Sequence, residues 1–441
     1  MSTRISYSIL LLALSTSAAC ASDDADLAAR LERMEARWER IEAEIAALRD
    51  EIHAARTPAP VGVDTRVAAV ESAIDGVRED LKNVGADVSM QRELIDARSE
   101  ADSRAPTLSS YGTLAYVDHD DRRSAFDASS FELLVSGQPS SRVSFFSELE
   151  FERAATVGGS RGGEVLLEQA YVDLGMTEHL SLRAGVLLMP FGNKNVDHFS
   201  PIREVVSQPL SAYAIAPSDW ADNGLGVTGD RPVGEHWTMD YAAYVVNGLG
   251  SALGDYGYRG GPQPFGVDNN DSKAMAGRVA FTHAGGSVLG LSAYQGAYDD
   301  RGDLGLLGLG IDGIFELGRL RWTGELLHAT AERRDGSYAE STGGYLRTIW
   351  RLDAGWASSL IDDVAAEPSL SLVHEYDYVR LEPLLQPLAP VRREWRHVFG
   401  VLLSLQHNWI FKLNREYSGY AGAPVLNGDA KAWQASVGYV F

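Results

Sequence analysis

Glu148, Glu150 and Glu152 occupy alternate positions in the run Val143–Glu152. On an extended chain, side chains two apart share a face, so these three make an acidic stripe. Arginine recurs in the same way. Arg319 and Arg321 share a face, as do Arg347 and Arg351, and Arg183 stands opposite Leu182 and Ala184. Glu375 and Asp377 form a second acidic pair. Rows of this kind recognise ions. Guanidinium forks suit carboxylate and phosphate, and rings of carboxylates suit cations. Arginine and glutamate rows that merely satisfy each other are the plainer alternative.

Bond-making chemistry is poorly represented. The ten histidines are scattered, with no H-x-x-x-H, and no G-x-S-x-G occurs. Val267–Ser272 is an acidic turn without the spacing or closing glutamate of an EF-hand loop. Arg301-Gly302-Asp303 is too short a match to carry meaning. No catalytic residue, cofactor or metal ligand set is assigned, and the chain reads as a non-enzyme.

The elements that must position the charged rows are strands. The final strand alternates Trp433, Ala435, Val437, Tyr439 and Phe441 with Gln434, Ser436, Gly438 and Val440. A strand between lipid and a watery lumen alternates in this way, with aromatics at the interfaces. Tyr439 and the terminal Phe441 look like the C-terminal assembly signal of outer-membrane barrels. Period-two alternation predicts sixteen strands, over 111–118, 129–137, 142–153, 164–175, 178–188, 223–230, 236–247, 272–283, 287–298, 304–316, 319–331, 341–351, 368–380, 393–405, 407–417 and 432–441. Of these, 223–230 is the weakest pattern, and 353–361 is a marginal omission. A charge facing lipid near midplane costs about 2–4 kcal/mol, so the charged faces point into the lumen. The 44 glycines and the 31 tyrosines and phenylalanines suit such a barrel.

Two further regions stand out. After Pro190, about thirty residues lack alternation, and loops that long are usually functional. The segment 191–222 either folds into the lumen as a constriction, through Lys194, Asp197, His198, Arg203 and Glu204, or is an ordinary solvated loop. Before the strands, Leu27, Leu31, Met34, Trp38, Ile41, Ile45, Leu48 and Ile52 follow strict heptad spacing. Thr57–Gly62, with two prolines, interrupts this seam. A second seam runs from Val63 to Val88 and Ile95, one residue out of phase. Its valines and isoleucines favour trimers, with a hairpin within one chain as the alternative.

The N-terminus reads as a secretory signal, residues 1–21, with an apolar core too short to span a bilayer. Lipidation of Cys20, the only cysteine, is the rival to cleavage after Ala21. The net charge is −22. It splits into 13 basic and 20 acidic side chains before Ala105 and 26 and 41 from there on. Two acidic parts argue against a nucleic-acid partner.

The stretch Tyr171–Gly192 resembles the phosphate-selective porin O/P family, in which a strand with an R-x-G-…-P-F run leads into a long loop. The matching positions are Arg183, Gly185, Pro190, Phe191 and Gly192. The run Asn408–Ser418 resembles that family's penultimate strand. Trimeric porins with an N-terminal coiled coil are the most similar in layout. The resemblance implies anion uptake along a ladder of lumenal cations. The net-acidic barrel and its four lysines, Lys194, Lys273, Lys412 and Lys431, depart from that pattern.

The expected protein is an all-β antiparallel transmembrane barrel over 110–441. A coiled coil at 22–98, broken at 57–62, and a linker at 99–109 precede it. The expected function is passive diffusion of small hydrophilic, charged solutes across a Gram-negative outer membrane. The alternative is a tethering protein with a non-conducting barrel. Expected partners are membrane lipid, small polar solutes, two further copies in a homotrimer, and the cell wall or periplasmic partners through the coil, which is expected in the periplasm.

Overall fold

Alternating apolar and polar residues, punctuated by short turns, close this chain into a ring of strands. In this computed structural model the described residues are 105–120, 123–153, 163–201, 203–217, 219–356, 368–405, 409–422 and 428–441. The signal peptide and both heptad seams lie outside them. The chain divides into two units, and the second, Pro106–Phe441, holds the strands.

The first eight strands are β1 (Thr107–His119), β2 (Ala125–Ser140), β3 (Val143–Glu152), β4 (Glu164–Gly175), β5 (Ser181–Leu188), β6 (Ala221–Val233), β7 (Trp237–Val246) and β8 (Ala274–His283). The second eight are β9 (Val288–Ala297), β10 (Gly305–Leu317), β11 (Leu320–Glu332), β12 (Tyr338–Leu352), β13 (Ser369–Leu381), β14 (Arg392–Leu405), β15 (Trp409–Ala421) and β16 (Gly428–Val440). Each matches one expected segment, including the weakly patterned β6. Two short helices, α1 (Asn193–Val196) and α2 (Leu210–Ala214), interrupt the segment between β5 and β6.

Every strand pairs antiparallel with its sequence neighbours, and β1 pairs with β16, so the barrel is closed. Closure gives each strand a partner on both sides and leaves no edge. The seam is held to its last residue. Phe441 donates its backbone N–H to Ser110 (2.7 Å), and Ser110 donates back (2.9 Å). The Phe441 ring packs against Trp409 and Tyr439.

Alternation sorts the two faces as expected. Leu307, Leu309, Ile311, Phe315 and Leu317 of β10 are exposed on the outside, with Leu289 and Leu291 of β9 beside them. Trp237, Trp350, Trp395, Trp409, Trp433, Tyr417 and Phe399 add aromatics to the same outer surface. Glu148, Glu150, Arg347, Glu375, Asp377, Arg396 and Lys412 are buried on the inside.

The inner face is not polar throughout. Leu187, Tyr244, Val246, Ala274, Ala276, Tyr294, Leu306, Leu327, Ala329, Ala331, Ala339, Val379 and Leu381 form one buried apolar cluster. Met189, Phe191, Ile215 and Trp220, from the segment between β5 and β6, fill it. An apolar core inside the ring is what fastens that segment there.

Candidate functional site

The segment joining β5 to β6 touches strands around most of the ring. Gly192 donates its N–H to the Ser292 hydroxyl on β9, and Lys194 donates its N–H to Glu325 on β11. His198 reaches β3 and β4, and the Ser200 hydroxyl meets Thr113 on β1 (2.8 Å) and Ser130 on β2 (3.0 Å). Lys412 on β15 donates to the Ser200 carbonyl. Val206 donates to Asn414, and Ser207 to Glu416 and Gln434. Arg396 on β14 donates to the Gln208 carbonyl (2.6 Å), and α2 packs on β12 and β13. Partners on β1, β9, β11 and β15 are all inward-facing, so a segment rooted at β5 meets them only by running through the interior.

Gly185 explains the glycine of the R-x-G run. Its φ is +139°, and a Cβ there would lie 2.2 Å from the Ala170 carbonyl oxygen. Two residues earlier, Arg183 is clamped by Asp173 (2.7 and 2.8 Å) and lies over the Tyr171 ring, 3.7 Å from its centroid. Asn195 donates to the carbonyls of Met189 and Trp220, and so closes the base of the segment.

The charged residues gather on two opposite walls. The first is acidic. Glu148 accepts from the Tyr111 hydroxyl (2.8 Å) and the Gln169 amide (2.6 Å). His198 Nε2 lies 3.0 Å from Glu168 and 3.4 Å from Glu148, and its ring stacks on Phe199. Burial opposes charging of the imidazole, but Glu168 and then Glu148 raise its pKa well above the usual range. Glu132 and Glu150 face each other across β2 and β3. Sequence reading singled out neither Glu132 nor Glu168. Glu152 lies at the end of β3 beside Arg153.

The second wall is mixed and rich in cations. Arg347 donates to Glu375 through Nε (2.7 Å) and pairs with Glu204. Arg396 pairs with Asp377 (2.7 Å), with Glu375 at 3.6 Å and Glu416 at 3.5 Å. Arg321 lies between Glu204 (3.6 Å) and Glu316 (3.7 Å), and Arg351 pairs with Glu316 (2.9 Å). Glu375 and Asp377 therefore balance arginines and do not extend the row of Glu148 and Glu150. Arg319 occupies the exposed turn between β10 and β11 and stands apart from the interior.

The five loop residues divide between the walls. Glu204 is held at about 2; burial works against its charge, but Arg347, Arg321 and Lys194 outweigh burial. Lys194 is buried and donates to the Asp197 carbonyl (2.8 Å); burial lowers its pKa, with Asp197 opposing. Asp197 is half-buried. Arg203 adds its charge near Lys194 and Lys412. His198 alone of the five joins the acidic wall. In a ring of sixteen, β3 and β11 stand eight strands apart, so the walls face each other across the lumen.

No family model matches the chain. A curated sequence from Aquifex aeolicus (strain VF5), described as an uncharacterized protein, is 31% identical over 195 residues. That match spans 43% of this chain and 43% of the relative's length. Among solved structures, a loop L8 deletion mutant of OmpT, an outer membrane protein of Vibrio cholerae, superposes with a TM-score of 0.50. It is 9% identical, over 77% of this chain and 100% of that one. Salmonella typhi OmpF, in complex with daunomycin, gives 0.50 at 10% identity, over 77% and 99%. At such identities the likeness is one of fold: a porin-like sixteen-stranded barrel.

Proposed function

We propose that the protein is an outer-membrane porin that lets small hydrophilic, charged solutes diffuse passively through its barrel. The observation that carries this reading is the passage of segment 189–220 through a closed barrel, between an acidic wall and a cation-rich one. The outer apolar surface with its aromatics is suited to lipid, and the inner charges are suited to water. A segment that narrows such a lumen sets size, and opposed charges impose a transverse field. Ions of both signs find a favourable wall, so the reading is polar or amphoteric solutes in preference to phosphate alone. Assembly follows the outer-membrane route, with Tyr439 and Phe441 as the signal. A homotrimer fits the outward patch on β13 and β14, where His374 and His397 hydrogen-bond each other (3.2 Å) beside Tyr376 and Phe399. Polar groups there are better placed against a second copy than against lipid.

Purified protein reconstituted in planar bilayers tests the reading. Discrete conductance steps are expected, with a reversal potential in a salt gradient that shifts toward anions in Glu148→Gln and toward cations in Arg321→Gln. Folded, inserted protein without conductance would leave a non-conducting anchor as the better description.

A further inference from the structure

The acidic wall gathers more carboxyl groups than its surroundings offer donors for. Glu150, Glu168 and Asp219 each turn a carboxylate oxygen toward the others, all within 4.8 Å of one another. The strongest electrostatic influences on Glu132, Glu150 and Glu168 are one another, Glu148, Glu152, Asp219 and a single base, His198. That imidazole is already engaged by Glu148 and Glu168. Glu148 is satisfied by Tyr111, Gln169 and His198, whereas within the trio of Glu150, Glu168 and Asp219 only Glu168 has a basic side-chain donor, His198, among the described residues.

A fourth carboxylate points the same way. Glu132 is 3% exposed and stands directly across from Glu150 on the inward face. Its Oε2 has no hydrogen-bond partner among the described residues. A buried carboxylate oxygen without a donor is costly, and a row of them repels. A cation among these oxygens removes both costs.

We infer that Glu150, Glu168 and Asp219, backed by Glu132, form a binding site for a hard divalent cation of the calcium class. The spacing supports this choice. Three atoms no more than 4.8 Å apart lie within about 2.8 Å of a common centre, close to calcium–oxygen distances of about 2.3–2.6 Å. Magnesium needs about 2.0–2.1 Å and strict octahedral geometry, which three converging carboxylates do not favour. An all-oxygen set also disfavours zinc and copper. The lumen supplies the route in, and the ion's two charges offset part of the acidic wall. Calcium therefore sets how strongly this wall favours cations.

The test is calcium titration of the full-length folded protein in detergent after chelator treatment, followed by calorimetry and by thermal unfolding. About one ion per chain is expected, with a dissociation constant of about 10⁻⁴–10⁻³ M, and magnesium weaker by at least about tenfold. Glu150→Gln and Asp219→Asn should each weaken binding at least about tenfold, while Glu152→Gln at the rim binds like the parent. Heat-modifiable mobility establishes that each variant is folded. No saturable uptake by folded parent protein at about 10 mM calcium would overturn the site, as would equal binding by Glu150→Gln and Asp219→Asn. An infrared band of protonated carboxyl that calcium leaves unchanged would also overturn it, because protons would then neutralise the cluster. Binding is read without conductance, so failure of the porin reading and failure of this one are distinguishable.

Discussion

The pair Glu204–Arg347 tests whether charge holds segment 189–220 across the barrel. Glu204 ionises at about 2 here against an ordinary 4.5, and Arg347 is the largest of the cations responsible. The gap corresponds to about 3 kcal/mol favouring the charged, docked state. That figure is what remains after burial has opposed it, and Arg321 and Lys194 add to Arg347, so the coupling to Arg347 alone should be on the order of 2 kcal/mol. Glu204→Gln keeps the shape and removes the charge. Arg347→Gln also strips the buried Glu375 of its nearest partner, so that single variant should cost more. The double-mutant cycle, read by equilibrium urea unfolding in lipid vesicles, isolates the pair. The pH dependence has a definite sign. The lowered carboxyl contributes its full stability above about pH 4.5 and loses it as pH falls through about 2. The deficit of Glu204→Gln relative to the parent should therefore be constant at neutral pH and shrink in acid. A coupling below about 0.5 kcal/mol, or a deficit unchanged down to pH 2, would refute ionic anchoring.

Three further outcomes follow from the same geometry. Removing Phe441 deletes the last backbone pair of the β1–β16 seam and an aromatic contact to Trp409, so heat-modifiable protein in the outer membrane should fall sharply; normal insertion of the truncated chain would show the terminal aromatic to be an ordinary strand end. Gly185→Ala should cost at least about 1–3 kcal/mol from backbone strain alone, before the clash with the Ala170 carbonyl, and folded yield is the readout. Phe191→Ala empties a site packed on Trp220 and over Gly308, so the urea midpoint should drop by the equivalent of about 3–5 kcal/mol while conductance rises. Unchanged conductance would mean that the apolar core does not limit the passage.

What was legible in the sequence tracks the range of the forces involved. Strand positions were legible because outward residues answer only to their surroundings: Trp433, Val437 and Tyr439 are apolar whatever lies inside. The path of segment 189–220 was not, because its partners are far along the chain. Val206 needs Asn414, and Ser207 needs Gln434. Length and charge marked the segment; no local pattern marked its docking sites. The apolar inner cluster was hidden for a related reason. On β8 and β9, Ala274, Ala276 and Tyr294 face inward, and small or aromatic residues suit a lumen and a packed core equally. The signs of the walls needed ring order as well, since Glu375 on β13 and Glu148 on β3 read alike until the closed ring sets them six strands apart.

Glu168 gives the sharpest case. Counted by twos along β4, it falls on the face of Glu164, opposite Gln169, Tyr171 and Asp173. The β3–β4 register shifts between Glu148 and Leu149, so Glu168 is an extra residue between Leu167 and Gln169. That single insertion changes the phase of the strand. Glu168 and Gln169 then both reach Glu148 and its neighbours, His198 from one and the Gln169 amide from the other. A bulge has no signature in alternation other than its failure, and such failures cluster where a strand re-aims side chains for a purpose. The carboxylate that alternation could not place is the one shared by His198 and the proposed cation site.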